Sequence, residues 1–221
     1  MLLGVRESLL RRRTQLGNTI RGHAAEFGVI AAKGLDKIEP MLAGIADDET
    51  VPAGAKETFA MLGHELAELR QHIARIDKRL TTFHRSNEVC RRLIEVPTIG
   101  PIAACLFVTK IAHPQGFRSG RMCAAWLGLT PKDHSTAGKQ RLGRITRAGD
   151  ESLRAALVCG ATAYISHVRR GRSIPSPWLA DLLKRKPPKL AAVALANKTA
   201  RIAWKLMISG QPYQPAAGAT A

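Results

Sequence analysis

The sequence predicts an all-α protein: a helical coiled-coil arm followed by a compact helical domain that carries a helix-hairpin-helix-like element. Three observations predict it. An amphipathic basic stretch opens the chain, apolar residues recur at alternating three- and four-residue steps from Phe59 to Ile94, and an Ala-rich amphipathic stretch, LAAVALANKTARIAWKLM, closes it. At 221 residues the chain is long enough to bury a real core without disulfides or metals.

In the opening stretch, Leu2, Val5, Leu9, Leu16, Ile20 and Phe27 keep returning to one face of a helix, and Arg6, Arg11, Arg12, Arg13 and Arg21 crowd the other positions. Residues 28 to 52 hold Gly34, Pro40, Gly44 and the acidic run Asp47, Asp48, Glu49, which predicts short helical pieces, turns and a hinge. The seam that follows is Phe59, Leu62, Leu66, Leu69, Ile73, Ile76, Leu80, Phe83, Asn87, Cys90 and Ile94, with charges of both signs between its members. Asn87 is a polar intruder of the sort that fixes register, and the partner helix is either the N-terminal one or one from another subunit. Beyond Val96 the composition turns to short apolar blocks bounded by Gly or Pro, which marks a second domain. Pro175, Pro177 and the run KRKPPK interrupt it before the closing helix. The expected divisions are an arm over 1–95, a compact domain over 96–213 and a disordered tail over 214–221.

The 34 Lys+Arg against 17 Asp+Glu give a formal charge of +17, which calls for a polyanion partner. Nucleic acid fits better than a membrane, because no window reaches the roughly 18 apolar residues that a spanning helix needs, and the N-terminus lacks the order of a signal peptide. A cytoplasmic, nucleoid-associated protein is expected. Cys90, Cys105, Cys123 and Cys159 are widely spaced with no CxxC pair or Cys/His cluster, so they are expected as small buried hydrophobes and not as zinc ligands or disulfides.

Two segments could carry function. LIEVPTIGPIAACLFVTKI has the shape of a helix-hairpin-helix element, whose turn aims backbone N–H groups at a DNA phosphate; Pro97 and Gly100 set the turn, and Thr98 stands where such turns usually carry Gly. The alternative is an ordinary helix-helix turn. PKDHSTAGKQRLGRITRAGDESLRAAL packs hydroxyls, Gly138, Gly143, Gly149 and the cations Lys139, Arg141, Arg144, Arg147 and Arg154 into a loop that runs into a helix. The cations would neutralise phosphates, Ser135 or Thr136 could attack a phosphodiester, and His134 could assist as a base. The alternative is a solvated loop that grips DNA without chemistry. KRKPPK and the Lys198, Arg201, Lys205 face of the last helix are either phosphate contacts or plain solvated surface, and Trp126, Trp178 and Trp204 are expected in the core.

Three stretches, VPTIGPIAACLFV, FRSGRMCAAWLGLTPKDHSTAGKQRLGRITRAGDESLRAALVCGA and PWLADLLKRKPPKLAAVALANKTARIAWKLM, resemble the IS-one-ten family of insertion-sequence transposases. The opening MLLGVRESLLRRRTQLGNTIRGHAAEFGV is similar to the basic helix that follows the nuclease domain in that family. The resemblance implies a recombinase with a RuvC-like nuclease fold bearing a metal-binding DEDD set, a coiled coil for homo-oligomerisation, and a C-terminal transposase domain that contributes a nucleophilic serine. It also implies DNA and an element-encoded bridge (guide) RNA as partners. This sequence starts after the family's last acidic position, so no cofactor or metal site is expected in it, and Mg2+ is expected only with the nuclease domain. Met1 looks like an internal methionine of a longer member. Counted from Pro131 without a gap, the family serine falls on Thr136, with Ser135 the neighbouring hydroxyl. The expectation is a transposase fragment, inactive alone, with a serine- or threonine-bearing strand-exchange domain; the alternative is a non-catalytic helix-hairpin-helix DNA- or RNA-binding protein.

Overall fold

The computed structural model describes residues 1–136, 138, 139 and 141–215, so Ala137, Gln140 and most of the expected disordered tail lie outside the described residues. The architecture is helical, as expected: nine α-helices and one short antiparallel hairpin occur among the described residues. The chain forms two compact units, one from Met1 to Leu80 and one from Thr81 onward.

In the first unit, α1 (Leu2–Glu26) and α3 (Ala53–Ser86) run antiparallel. Arg6 Nε meets Asp77 Oδ1 at 2.5 Å toward one end, and Phe27 meets Phe59 edge-on at 6.0 Å toward the other. Between them, α2 (Ile38–Asp47) adds Ile38, Met41 and Ile45 to a core that also holds Ile20, Ala24, Phe59 and Leu66. Each such side chain contributes about 1.5–3 kcal/mol by leaving water. Gly17 makes room for the approach, since a Cβ there would lie 2.6 Å from Leu35 Cδ2 and 2.7 Å from Ile38 Cδ1. For Phe59 and Leu66, then, the partner of the predicted seam is the same chain.

The seam does not run unbroken to Ile94, which corrects the reading of Asn87. α3 ends at Ser86, and Asn87 turns extended (φ −94°, ψ 118°), its side-chain oxygen accepting from Cys90 N–H at 3.0 Å to cap α4 (Glu88–Ile94). A short amide competes with the main chain for hydrogen bonds, so it opens a helix more readily than it sits inside one.

The second unit is built on α9 (Pro188–Ser209), which packs against α4, α6 (Gly120–Trp126), α7 (Glu151–Arg169) and α8 (Pro177–Arg185). Its buried stripe is mostly alanine (Ala191, Ala192, Ala196, Ala200 and Ala203, with Leu195, Thr199 and Leu206), which lets neighbouring backbones come close. Gly120 completes one such approach, where a Cβ would sit 3.2 Å from Arg201 Cα. α7 buries Leu153, Leu157, Ala161 and Ile165 at four-residue steps, and α5 (Pro101–Lys110) is buried from Ala103 to Phe107. Cys90, Cys105 and Cys123 are buried, and burial pushes the Cys123 thiol up to about 11. Cys159 departs from the expectation: it is exposed, because it falls between Leu157 and Ala161 on the turn of α7 that faces away from the core.

The proline-marked breaks become helix starts. Ser176 caps α8 with Pro177 at its first position, and Pro187 and Pro188 open α9. No described helix is long and apolar enough to cross a membrane.

Candidate nucleic-acid interface

The segment read as a loop folds into a hairpin. β1 (Pro131–Asp133) pairs antiparallel with β2 (Leu142–Ile145), Pro131 opposite Ile145 and Asp133 opposite Leu142, and Thr136 bridges Lys139 at the tip. Its base is fixed to the helices by two glycines. Gly128 (φ +69°) lies against the backbone of Ala148, and Gly149 (φ +72°) against the Trp126 carbonyl; a Cβ at either would collide with main chain. Thr146 N–H donates to the Thr130 carbonyl at 2.9 Å and Arg147 N–H to the Gly128 carbonyl at 3.2 Å, with Arg147 itself at φ +58°.

Asp150 then caps α7. Its carboxylate accepts from Leu153 N–H at 2.8 Å and Ser152 Oγ at 2.6 Å, and pairs with Lys110 Nζ at 2.8 Å. Burial raises the Asp150 pKa, but Lys110, Ser152 and the Leu153 N–H together outweigh it and hold the carboxyl below its ordinary range.

Between the hairpin base, the start of α6 and the outer face of α9 lies an open groove of about 1400 Å³. Arg144 and Arg147 reach it from the hairpin side, Arg121 from α6, and Lys189, Lys198, Arg201 and Lys205 from α9; among the described residues no carboxylate lines it. Ile145, Val193, Ile202, Trp178 and Trp204 supply apolar surface. Lys198 Nζ sits 4.3 Å from the Trp178 ring centre, Trp204 Nε1 donates to the Pro114 carbonyl at 2.8 Å, and Asn197 Nδ2 donates to the Leu129 carbonyl at 3.2 Å. These two tryptophans are therefore groove walls and only partly buried, and Trp126, 41% exposed against Phe117, is not a core residue either. Helical spacing with apolar neighbours does not distinguish a core tryptophan from one at the margin of the core.

The predicted site residues fall into four groups. Arg144 and Arg147 line the groove; Lys139, Arg141, Ser135 and Thr136 are exposed on the hairpin beyond its lining. Ser135 Oγ accepts from Arg141 N–H at 3.0 Å, and Ser135 N–H donates to Asp133 Oδ1 at 2.9 Å. The Ser135 hydroxyl, followed by its N–H, holds the Asp133 carboxyl below its ordinary range. The His134 ring lies over Gly143, and the groups placed on Ser135 are those of Asp133 and Arg141. Arg154 and Thr98 are placed inward. Arg154 Nη1 donates to the carbonyls of Leu127 at 3.1 Å and Ala148 at 2.8 Å, bracing the hairpin base. Thr98 is buried with its hydroxyl 2.6 Å from that of Thr199, and its carbonyl lies against Gly160, so its side chain makes a packing contact. Gly100 is exposed at the N-cap of α5, with open space where a Cβ would stand.

Sequence reasoning missed Arg121, Asp133 and Asn197. Asp133 had a legible signal, the Asp-x-Ser spacing of a local side-chain turn; Arg121 and Asn197 had none. Among the described residues, no group of three or more His, Cys, Asp or Glu gathers closely enough to hold a metal ion.

Helices around a carboxylate-free cationic groove, with a basic hairpin at its edge, make a module suited to a polyanion. Residues 90–174 match the Transposase IS116/IS110/IS902 family. The chain is 57% identical to a putative transposase, y4pF/y4sB, of Sinorhizobium fredii, over 99% of this chain and 57% of that protein. It is 40% identical to a probable family 20 transposase of Pseudomonas aeruginosa, over 96% of this chain and 63% of the relative. It is 32% identical to the transposase for insertion sequence element IS1111A of Coxiella burnetii, over 96% and 59%. The chain is thus similar to transposases, with its family match to IS116/IS110/IS902, and it spans about three-fifths of the length of these relatives.

Proposed function

We propose that the second unit is the DNA-gripping module of an insertion-sequence transposase, with the phosphate backbone running along the groove between the hairpin and α9. One observation carries the reading: seven cations from three parts of the chain line one groove, and no carboxylate among the described residues lines it with them. Lys139 and Arg141 extend the cationic track along the hairpin, and the exposed turn at Gly100, where α5 begins, adds backbone N–H donors in the manner of a helix-hairpin-helix element. The test is DNA affinity against salt. Arg144→Gln and Arg201→Gln should each lower the slope of log affinity on log salt, by about 0.9 on duplex and about 0.7 on single-stranded DNA, equally for all sequences. Binding that does not vary with salt would reject the reading.

A covalent step at Ser135 is the second part of the proposal. It is favoured by Ser135 Oγ standing at an exposed hairpin with Arg141 N–H and Asp133 upon it, whereas Thr136 is β-branched and lies in the tip bridge. Attack of Ser135 Oγ on phosphorus forms a phosphoserine ester and releases the strand at its sugar oxygen, which takes up a proton; Asp133 orients the hydroxyl. The chain alone is expected to be inactive. A gel search for a protein–DNA adduct, with a full-length relative supplying the nuclease domain and with Ser135→Ala and Thr136→Ala as controls, decides the step. No adduct under those conditions would remove catalysis from this chain and leave a binding module. A guide RNA and homo-oligomerisation through α3 belong to the same proposal, tested by RNA competition for the DNA site and by mass in solution.

A further inference from the structure

We infer that the groove holds a short unpaired stretch of DNA, phosphates on its cationic rim and bases against its apolar floor. This rests on the DNA-gripping reading above and names the form of the DNA. The reason is the mixed character of the groove. A duplex offers a protein concavity mainly phosphate and sugar, with its bases stacked inside, so it would touch the cations and leave the floor unmatched. An unpaired strand offers a charged edge and apolar base faces together, which is the combination that stacking surfaces inside positive grooves accept.

The floor here is Ile145, Val193 and Ile202, walled by Trp178 and Trp204. At about 1400 Å³ it exceeds the roughly 300–1,000 Å³ of a pocket for one small molecule, which leaves space for more than one nucleotide. Leu190 marks the mouth. It is 52% exposed on the first turn of α9, an apolar side chain that an occupant of the groove would cover. Asn197 supplies the polar element: its Nδ2 is committed to the Leu129 carbonyl, which leaves its Oδ1 to accept from a base N–H within the groove. Lys198 over Trp178 places a cation beside a ring, so one phosphate and one base can be met at neighbouring points.

The experiment compares the full chain's affinity for a single-stranded oligodeoxynucleotide, its duplex and the RNA of the same sequence, at one salt concentration, with 2-aminopurine reporting base stacking. The single strand should bind about tenfold or more tighter than the duplex, with 2-aminopurine quenched on binding. Trp178→Leu and Leu190→Gln should each lower single-strand affinity about tenfold and duplex affinity far less; Leu190, being half-exposed, leaves folding intact. Equal or tighter duplex binding, or single-strand affinity unmoved in both variants, overturns this inference while the cationic-groove reading stands. Tighter binding of the RNA overturns DNA as the occupant. Loss of binding to every probe sinks both readings.

Discussion

Arg154 Nη1 donates to the carbonyl of Ala148 at 2.8 Å and, at 3.1 Å, to that of Leu127, tying the chain just after the hairpin to the end of α6. A guanidinium holding two main-chain oxygens acts on the fold first. Arg154→Met should therefore lower the melting temperature, at a cost of about 1–3 kcal/mol from the carbonyls it leaves behind. The salt slope of DNA binding separates this from a direct phosphate contact, which would reduce the slope and spare the melting temperature.

The hydroxyls of Thr98 and Thr199, buried 2.6 Å apart, make a pair that can be removed whole more cheaply than in half. Thr98→Val or Thr199→Val alone should destabilise by about 1–3 kcal/mol, because each strands a buried polar group, and the double variant should recover most of the loss. Denaturant unfolding of all four proteins measures the coupling. Additive losses would show that the pair is not the source.

Asp150 gives the second unit an acid-side limit. Its carboxyl is held below the ordinary range when folded, so the stability it adds is complete above about pH 4, the unfolded carboxylate value, and is lost as pH falls through the depressed value. Asp150→Asn should lower stability near neutrality and flatten the acid limb of the stability–pH curve. An unchanged limb would assign the acid sensitivity to other carboxylates.

Leu66 lies in the core that α1, α2 and α3 share. Leu66→Ala should cost about 2–5 kcal/mol. Light scattering should find the same mass before and after; a fall in mass would place this part of the seam between subunits.

Much of the helical plan was legible because it is written in periodicity and punctuation. Leu66, Leu69 and Ile73 read correctly as one face, and Pro177 and Pro188 stand at the helix starts their fixed φ favours. The hairpin was not legible. β1 and β2 are three and four residues long and exposed, so they lack the alternation that marks a strand, and their pairing depends on Gly128 and Gly149, which meet Ala148 and Trp126 only once the helices have packed. The groove was half legible for a similar reason. Arg144, Arg147 and the Lys198, Arg201, Lys205 face could each be flagged as cationic, but whether such side chains converge or disperse depends on tertiary packing, and a chain of +17 has many more cations than any one site needs. Thr98 and Arg154 show the converse ambiguity: residue types that suit a phosphate also suit a buried hydroxyl pair and a carbonyl brace.

α9 turns Ala196, Ala200 and Ala203 inward and Asn197, Arg201 and Lys205 outward into the groove, one or two residues apart at each turn. Whatever settles on the outer side therefore leans on the same rod that organises the interior. Occupancy and folding are in this way thermodynamically linked: a saturating occupant should raise the melting temperature of the second unit, and a substitution that loosens the alanine stripe should weaken affinity without touching a single contact.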